Sequence, residues 1–213
     1  MKSIDAFAKL GNLGKPVITT TEAAAVWRMD PPSTSKTLSR LAASNLVRNI
    51  RRGIWSLGSD APDSFEVAPV LTRPYPNYVS MYSALFRHGM IDQIPRTIDL
   101  MSLGRPMKLE TSVGFFTIHH LHEESFDGFI GQSAIRSGLA TAEKALVDTV
   151  MVLGVRGGVV TLPEIDLPID FDLQSMWAWV ERISSQRLRT ITIRNLKRMI
   201  EPANANSTPV HSL

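Results

Sequence analysis

Apolar residues in the first third of the chain recur at helical spacing and then give way to short β-rich runs. Ile4, Phe7, Ala8 and Leu10 form a first amphipathic run, ended by Gly11 and Gly14. Pro16-Val17-Ile18-Thr19 follows as a small extended segment. Thr19 and Glu22 stand in front of Ala23, Ala24, Val26 and Trp27, the spacing of a capping box opening a helix. Asp30-Pro31-Pro32 ends that helix, because proline cannot continue it and restricts the residue before it. Ser33 or Thr34 is then expected to cap another helix, with Leu38, Leu41 and Ala42 at core spacing and Leu46 after its end. Its opposite face carries Ser35, Lys36, Ser39 and Arg40. Leu46-Val47-Arg48 and Ile54-Trp55-Ser56-Leu57 read as strands, and Gly53 in the intervening Asn49-Ile50-Arg51-Arg52-Gly53 supplies a turn.

Two short helices followed by a basic hairpin predict a winged helix over residues 1–57. In such a module the second helix enters the major groove and the hairpin lies against phosphate or in the minor groove. The candidate DNA contacts are therefore Ser33, Thr34, Ser35, Lys36, Ser39 and Arg40 on the helix, and Arg48, Arg51 and Arg52 on the wing. Short hydroxyls with one Lys and one Arg suit base edges and phosphates. The plainer alternative is a small packed domain whose basic face is only solvated.

Beyond this module, the polar stretch 58–64 reads as a linker, 65–201 as a mixed α/β domain and 202–213 as a flexible tail. The fold class expected is α+β. Tyr78 to Gly89 is densely apolar, with Gly89 placed at a helix C-terminus. Ile94 to Leu103 and Phe115 to Leu121 read as strands, separated by a break at Gly104-Arg105-Pro106. Thr141 to Val152 is a helix with Leu146, Val147, Val150 and Met151 on its buried face. Val159 to Leu162 is a candidate strand, and Leu173 to Ser184 and Arg187 to Ile200 are candidate helices.

Composition narrows the classes. The 213 residues are 44% hydrophobic and 20% charged, the balance of a globular protein. The absence of cysteine excludes disulfides, zinc fingers and thiol catalysis. Neither a signal peptide nor a membrane span is apparent, so a cytoplasmic protein with no membrane partner is expected. The net charge of +3 is unevenly spread. Residues 1–57 hold nine Lys/Arg against three Asp/Glu, residues 58–185 nine against sixteen, and residues 186–213 five against one. That places a nucleic-acid surface in the N-terminal module rather than along the whole chain.

No catalytic or cofactor-binding residue is expected. His119, His120, His122 and Glu124 are the most enzyme-like cluster, but surface strand histidines are the simpler account, since no second ligand pair accompanies them. Glu143 reads as a helix-start acid, and Lys144 with Asp148 as a solvated i,i+4 ion pair. Gly154-Val155-Arg156-Gly157-Gly158 lacks the lysine and spacing of a phosphate loop. Trp177 and Trp179 lie on different sides of their helix, which fits core packing or a protein-binding face beside the basic helix Arg187–Arg198.

Three segments together carry a resemblance: Arg52-Gly53-Ile54-Trp55 closing the wing, Tyr78-Val79-Ser80 with Ser83-Ala84-Leu85 and His88-Gly89, and Ala142-Glu143-Lys144-Ala145-Leu146-Val147-Asp148. In this order, over residues 1–155, the chain resembles the AbiEi-type antitoxins of type IV toxin–antitoxin (abortive-infection) systems. The resemblance implies a winged helix that represses its own operon by binding promoter DNA, and a C-terminal domain that counteracts a nucleotidyltransferase-like toxin. It carries the DNA-contacting role to Lys36, Arg40, Arg51 and Arg52. Past Leu162 the resemblance ends. Two other readings stand beside it: a stand-alone winged-helix regulator without a toxin, and a non-DNA interaction or metal-binding protein.

Overall fold

The computed structural model describes residues 2–155 and 159–205. The chain is α+β and divides into two compact units. The first takes Met1–Val79, Arg96–His120 and Gly131–Gly138; the second takes Ser80–Pro95, Leu121–Ile130 and Leu139–Leu213. Residues 58–64, expected as a linker, lie inside the first unit, and the expected 65–201 domain is shared between the two. The part of the expected tail beyond Ala205 lies outside the described residues.

The first unit opens with α1 (Ser3–Gly11), β1 (Val17–Thr19) and α2 (Thr20–Trp27), followed by α3 (Pro31–Ala43), β2 (Val47–Arg51) and β3 (Ile54–Leu57). Thr19 and Glu22 form the expected capping box, with the Glu22 backbone N–H donating to Thr19 Oγ1 at 3.1 Å and the Thr19 N–H donating back to Glu22 Oε2 at 2.8 Å. The cap of α3 differs from expectation. Asp30, not Ser33 or Thr34, accepts the Ser33 N–H at 3.0 Å, and Pro31 and Pro32 occupy the first helical positions. Proline is favoured there, because the N–H it lacks has no acceptor within the helix. The three helices and three strands enclose Leu10, Ile18, Ala23, Trp27, Leu38, Leu41, Val47 and Trp55. Burying each of these leucines contributes about 1.5–3 kcal/mol. Trp27 and Trp55 bring their indole N–H groups in with partners, donating to Ala6 O at 3.1 Å and Thr20 Oγ1 at 3.0 Å.

The rest of the first unit is α4 (Ser64–Leu71), β4 (Asn77–Val79), β5 (Thr97–Ser102), β6 (Met107–Thr111) and β7 (Gly114–His120). These strands lie in the order β6-β7-β5-β4, with β5 and β7 parallel and the other pairs antiparallel. β6 is absent from the sequence-based expectation, because the polar alternation Met107-Lys108-Leu109-Glu110 is a weak strand signal. Asp63 caps α4 in a second capping box with Glu66. Pro69 sits inside α4 and offers no N–H to the Phe65 carbonyl one turn back. Ser137 satisfies that carbonyl instead, donating its backbone N–H at 2.8 Å.

The second unit holds α5 (Met81–Arg87), a 3-10 turn at Glu123–Ser125, β8 (Phe129–Ile130), all of β9 (Gly138–Ala140) but its first residue, α6 (Ala142–Gly154), α7 (Leu173–Glu181) and α8 (Gln186–Ala205). α6 is its centre, packed against α5, α7 and α8. The candidate strand Val159–Leu162 is not one: the segment is coil, and the Val160 N–H donates to the Asn195 side chain, Oδ1 at 2.9 Å, rather than to a neighbouring strand. The Lys144–Asp148 pair, expected in solvent, is buried, because α6 is enclosed by other helices on three sides. No helix among the described residues is long and apolar enough to cross a membrane.

Candidate nucleic-acid interface

α3 divides its residues cleanly. Thr34, Thr37, Leu38 and Leu41 are buried, while Ser33, Ser35, Lys36, Ser39 and Arg40 are exposed. Thr34 therefore leaves the candidate set. Its hydroxyl donates to the Asp30 carbonyl at 2.8 Å, and the side chain is fully enclosed under the first turn. Ser33 is exposed but committed locally, since its backbone N–H and hydroxyl both engage Asp30 and hold that carboxyl below its ordinary range. Ser39 donates to the Ser35 carbonyl at 3.0 Å, and Arg40 reaches the Thr37 hydroxyl at 3.3 Å. Lys36 and Arg40, four apart, project from one face.

The hairpin places its arginines through an irregularity. Val47 opposes Leu57 and Asn49 opposes Trp55, but the register then shifts, so that Arg51 opposes Ile54. The extra residue reverses the alternation, because two residues on one strand face one on the other. Ile50 is thereby buried, while Arg48 and Arg51 are both exposed. Gly53, at φ +82°, closes the turn beside exposed Arg52, and its carbonyl accepts the Thr20 N–H at 2.9 Å. The hairpin is thus tied to the start of α2.

A further anchor has no signal in the sequence. Ser112, in the β6–β7 turn, donates its N–H to the Ile50 carbonyl at 2.9 Å and its hydroxyl to the Asn49 carbonyl at 3.0 Å. These bonds occupy the outer edge of β2 and fix the strand that carries Arg48 and Arg51. No local pattern could reveal a partner so far along the chain.

The basic residues that form surface ion pairs lie elsewhere in the chain. Lys15 and Arg73 pair with Glu22, Arg136 with Asp63, Arg182 with Asp127 and Arg189 with Glu181. Among the described residues, Lys36, Arg40, Arg48, Arg51 and Arg52 make no ion pair. Five unneutralised cations on one helix and the adjoining hairpin form a surface that attracts polyanions.

The histidines are dispersed in role. His119 Nε2 lies 3.0 Å from Asp99 Oδ1, and His120 Nδ1 lies 3.0 Å from the Gly104 carbonyl. His122 falls past the end of β7, and His88 Nε2 meets the Ala140 carbonyl at 2.7 Å. Among the described residues no group of three or more His, Asp or Glu is placed to hold a metal ion. Trp177 and Trp179 are half-buried, while Met176 and Val180 supply the buried side of α7. Trp179 is flanked by two cations, Arg182 at 4.7 Å and Lys144 at 5.6 Å from its ring centre. Arg187, Arg194, Lys197 and Arg198 give α8 an exposed basic side. No family model matches the chain, and no curated protein matches it.

Proposed function

We propose that the chain binds double-stranded DNA through α3 and the β2–β3 hairpin, working as a winged helix that represses its own promoter. The observation that carries this reading is the set of five exposed cations without acidic partners, on a helix and a wing held rigid by the core. α3 lies in the major groove with Ser35, Lys36, Ser39 and Arg40 toward bases and phosphates. Arg48, Arg51 and Arg52 neutralise phosphates beside it and set the register. The mechanism is physical, not catalytic: occupation of the operator excludes transcription. Following its resemblance to AbiEi-type antitoxins, we further propose that the protein opposes a nucleotidyltransferase-like toxin.

The test is a gel-shift titration on the protein's own upstream DNA, with unrelated DNA as competitor, at two salt concentrations. Retardation that survives competition supports an operator-specific repressor, and co-expression with a neighbouring nucleotidyltransferase then tests rescue. Retardation erased by competitor reduces the surface to a non-specific polyanion site, and no retardation removes the reading altogether.

A further inference from the structure

We propose that the first unit carries a second binding site, one that takes a small apolar carboxylate. The site is a cavity of about 310 Å³ between the C-terminal end of α4 and the segment joining β5 to β6. That volume lies at the lower end of the range for small-ligand pockets and suits an aromatic or medium-chain aliphatic acid.

Its lining has an apolar body and a cationic edge. Leu71 and Ile118 are buried and form the floor, while Met107 and Tyr75 stand above it with 42% and 49% of their surface exposed. Met107 and Ile118 are cross-strand partners, so their side chains share one face of the sheet. Thr72 has its hydroxyl committed, donating to the Tyr75 carbonyl at 2.7 Å and accepting from Asn77 Nδ2 at 2.7 Å. The remaining polar side chains of the lining are Arg73, Arg105 and the phenol of Tyr75, and of these only the arginines carry charge.

The two arginines differ. Arg73 is held 3.0 Å from Glu22. Arg105 makes no ion pair among the described residues, and its planar guanidinium matches a carboxylate with two parallel hydrogen bonds. The loop that presents it is fixed: the Gly104 N–H donates to Ser102 Oγ at 3.1 Å, and the Gly104 carbonyl lies 3.0 Å from His120 Nδ1. A side chain at Gly104 would approach the Tyr75 ring to 3.0 Å, so glycine is what lets that ring lie close against the loop and wall the cavity. One available guanidinium over an apolar floor fits a single carboxylate on an apolar body, and fits a polyphosphate poorly, since its further charges would meet Leu71 and Ile118.

The experiment titrates the full chain with phenylacetate, cinnamate and hexanoate, followed by methyl NMR of Met and Ile side chains. Saturable binding at about millimolar or tighter is expected for at least one acid. The moving signals should include Met107 and Ile118, and phenylacetamide should bind about tenfold more weakly than phenylacetate, the scale of one charge-assisted contact. Arg105→Glu should abolish binding, and Arg105→Gln should weaken it about tenfold. Lys108→Glu, the same charge change at the neighbouring, oppositely directed strand position, should leave it intact. Circular dichroism of each variant establishes that it is folded. The proposal is overturned if none of the three acids saturates, if the amide binds as well as the acid, or if folded Arg105→Glu binds unchanged.

Discussion

Lys144 Nζ lies 2.5 Å from Asp148 Oδ1 in the interior of the second unit, and the two residues are 2% and 0% exposed. Ser80 also donates its hydroxyl to Asp148 Oδ2 at 2.7 Å. Two charges taken out of water in this way are stable only as a hydrogen-bonded set. Removing either partner takes the short ion pair away from a charge that stays buried. Asp148→Asn or Lys144→Met should therefore cost about 3–5 kcal/mol, whereas Lys144→Met with Asp148→Leu together should restore much of that loss. Urea denaturation of the singles and the double measures this; a double variant no better than the singles would contradict it. Ser80→Ala should cost about 1–3 kcal/mol through the lost bond to the carboxylate.

Glu22 governs an acid-sensitive contact in the first unit. Burial opposes its charge, but hydrogen bonds from Lys15, the Thr19 backbone and Arg73 outweigh that, holding the carboxyl near a pKa of about 2 against an ordinary 4.5. A depressed pKa in the folded state contributes stability that is present above the unfolded value and is lost as pH falls. Stability should thus decline between pH 4.5 and about 2, and Glu22→Gln should flatten that decline. At neutral pH the variant should lose about 1 kcal/mol, since the contact is partly solvated. Thermal melts across this pH window compare the two proteins.

On the proposed DNA surface, wing and helix should behave differently. Arg51→Ala with Arg52→Ala should weaken binding on every sequence and lower the slope of log affinity against log salt by about 2. An unchanged slope would sink the role of the wing. Ser35→Ala or Arg40→Ala should instead alter sequence preference. Thr34→Ala should lower stability without altering preference, because that hydroxyl faces the Asp30 carbonyl and not the groove.

Gly128 is a further place where one substitution should report on packing. Its φ is +80°, and an added Cβ would lie 2.7 Å from the Trp179 ring and 3.0 Å from the Lys144 side chain. Gly128→Ala should push the indole away, shift the tryptophan fluorescence and cost about 1–3 kcal/mol. A variant with unaltered emission and stability would contradict this.

The sequence by itself determined what local chemistry determines. Thr19 with Glu22 marks the start of α2 because a capping box is closed by groups three residues apart. The spacing of Leu38 and Leu41 assigns the buried side of α3, leaving Lys36 and Arg40 outside. Asp30 reads as part of a breaker, yet its side chain and the following prolines make a helix start. Asp63 and Glu66 hold a capping signal of the same kind for α4, although Asp63 falls in the stretch 58–64, whose turn-forming composition reads as a linker. Tertiary structure alone decided the rest. It paired β5 in parallel with β7, turned Thr34 inward, let Ser137 satisfy the carbonyl freed by Pro69, and enclosed Lys144 with Asp148. Each of these depends on groups brought together from distant positions or on which neighbours cover a face. Periodicity records that a side has been covered by apolar residues. It does not record what covers a polar one, and that is why a pair spaced for solvent on α6 is found in the core.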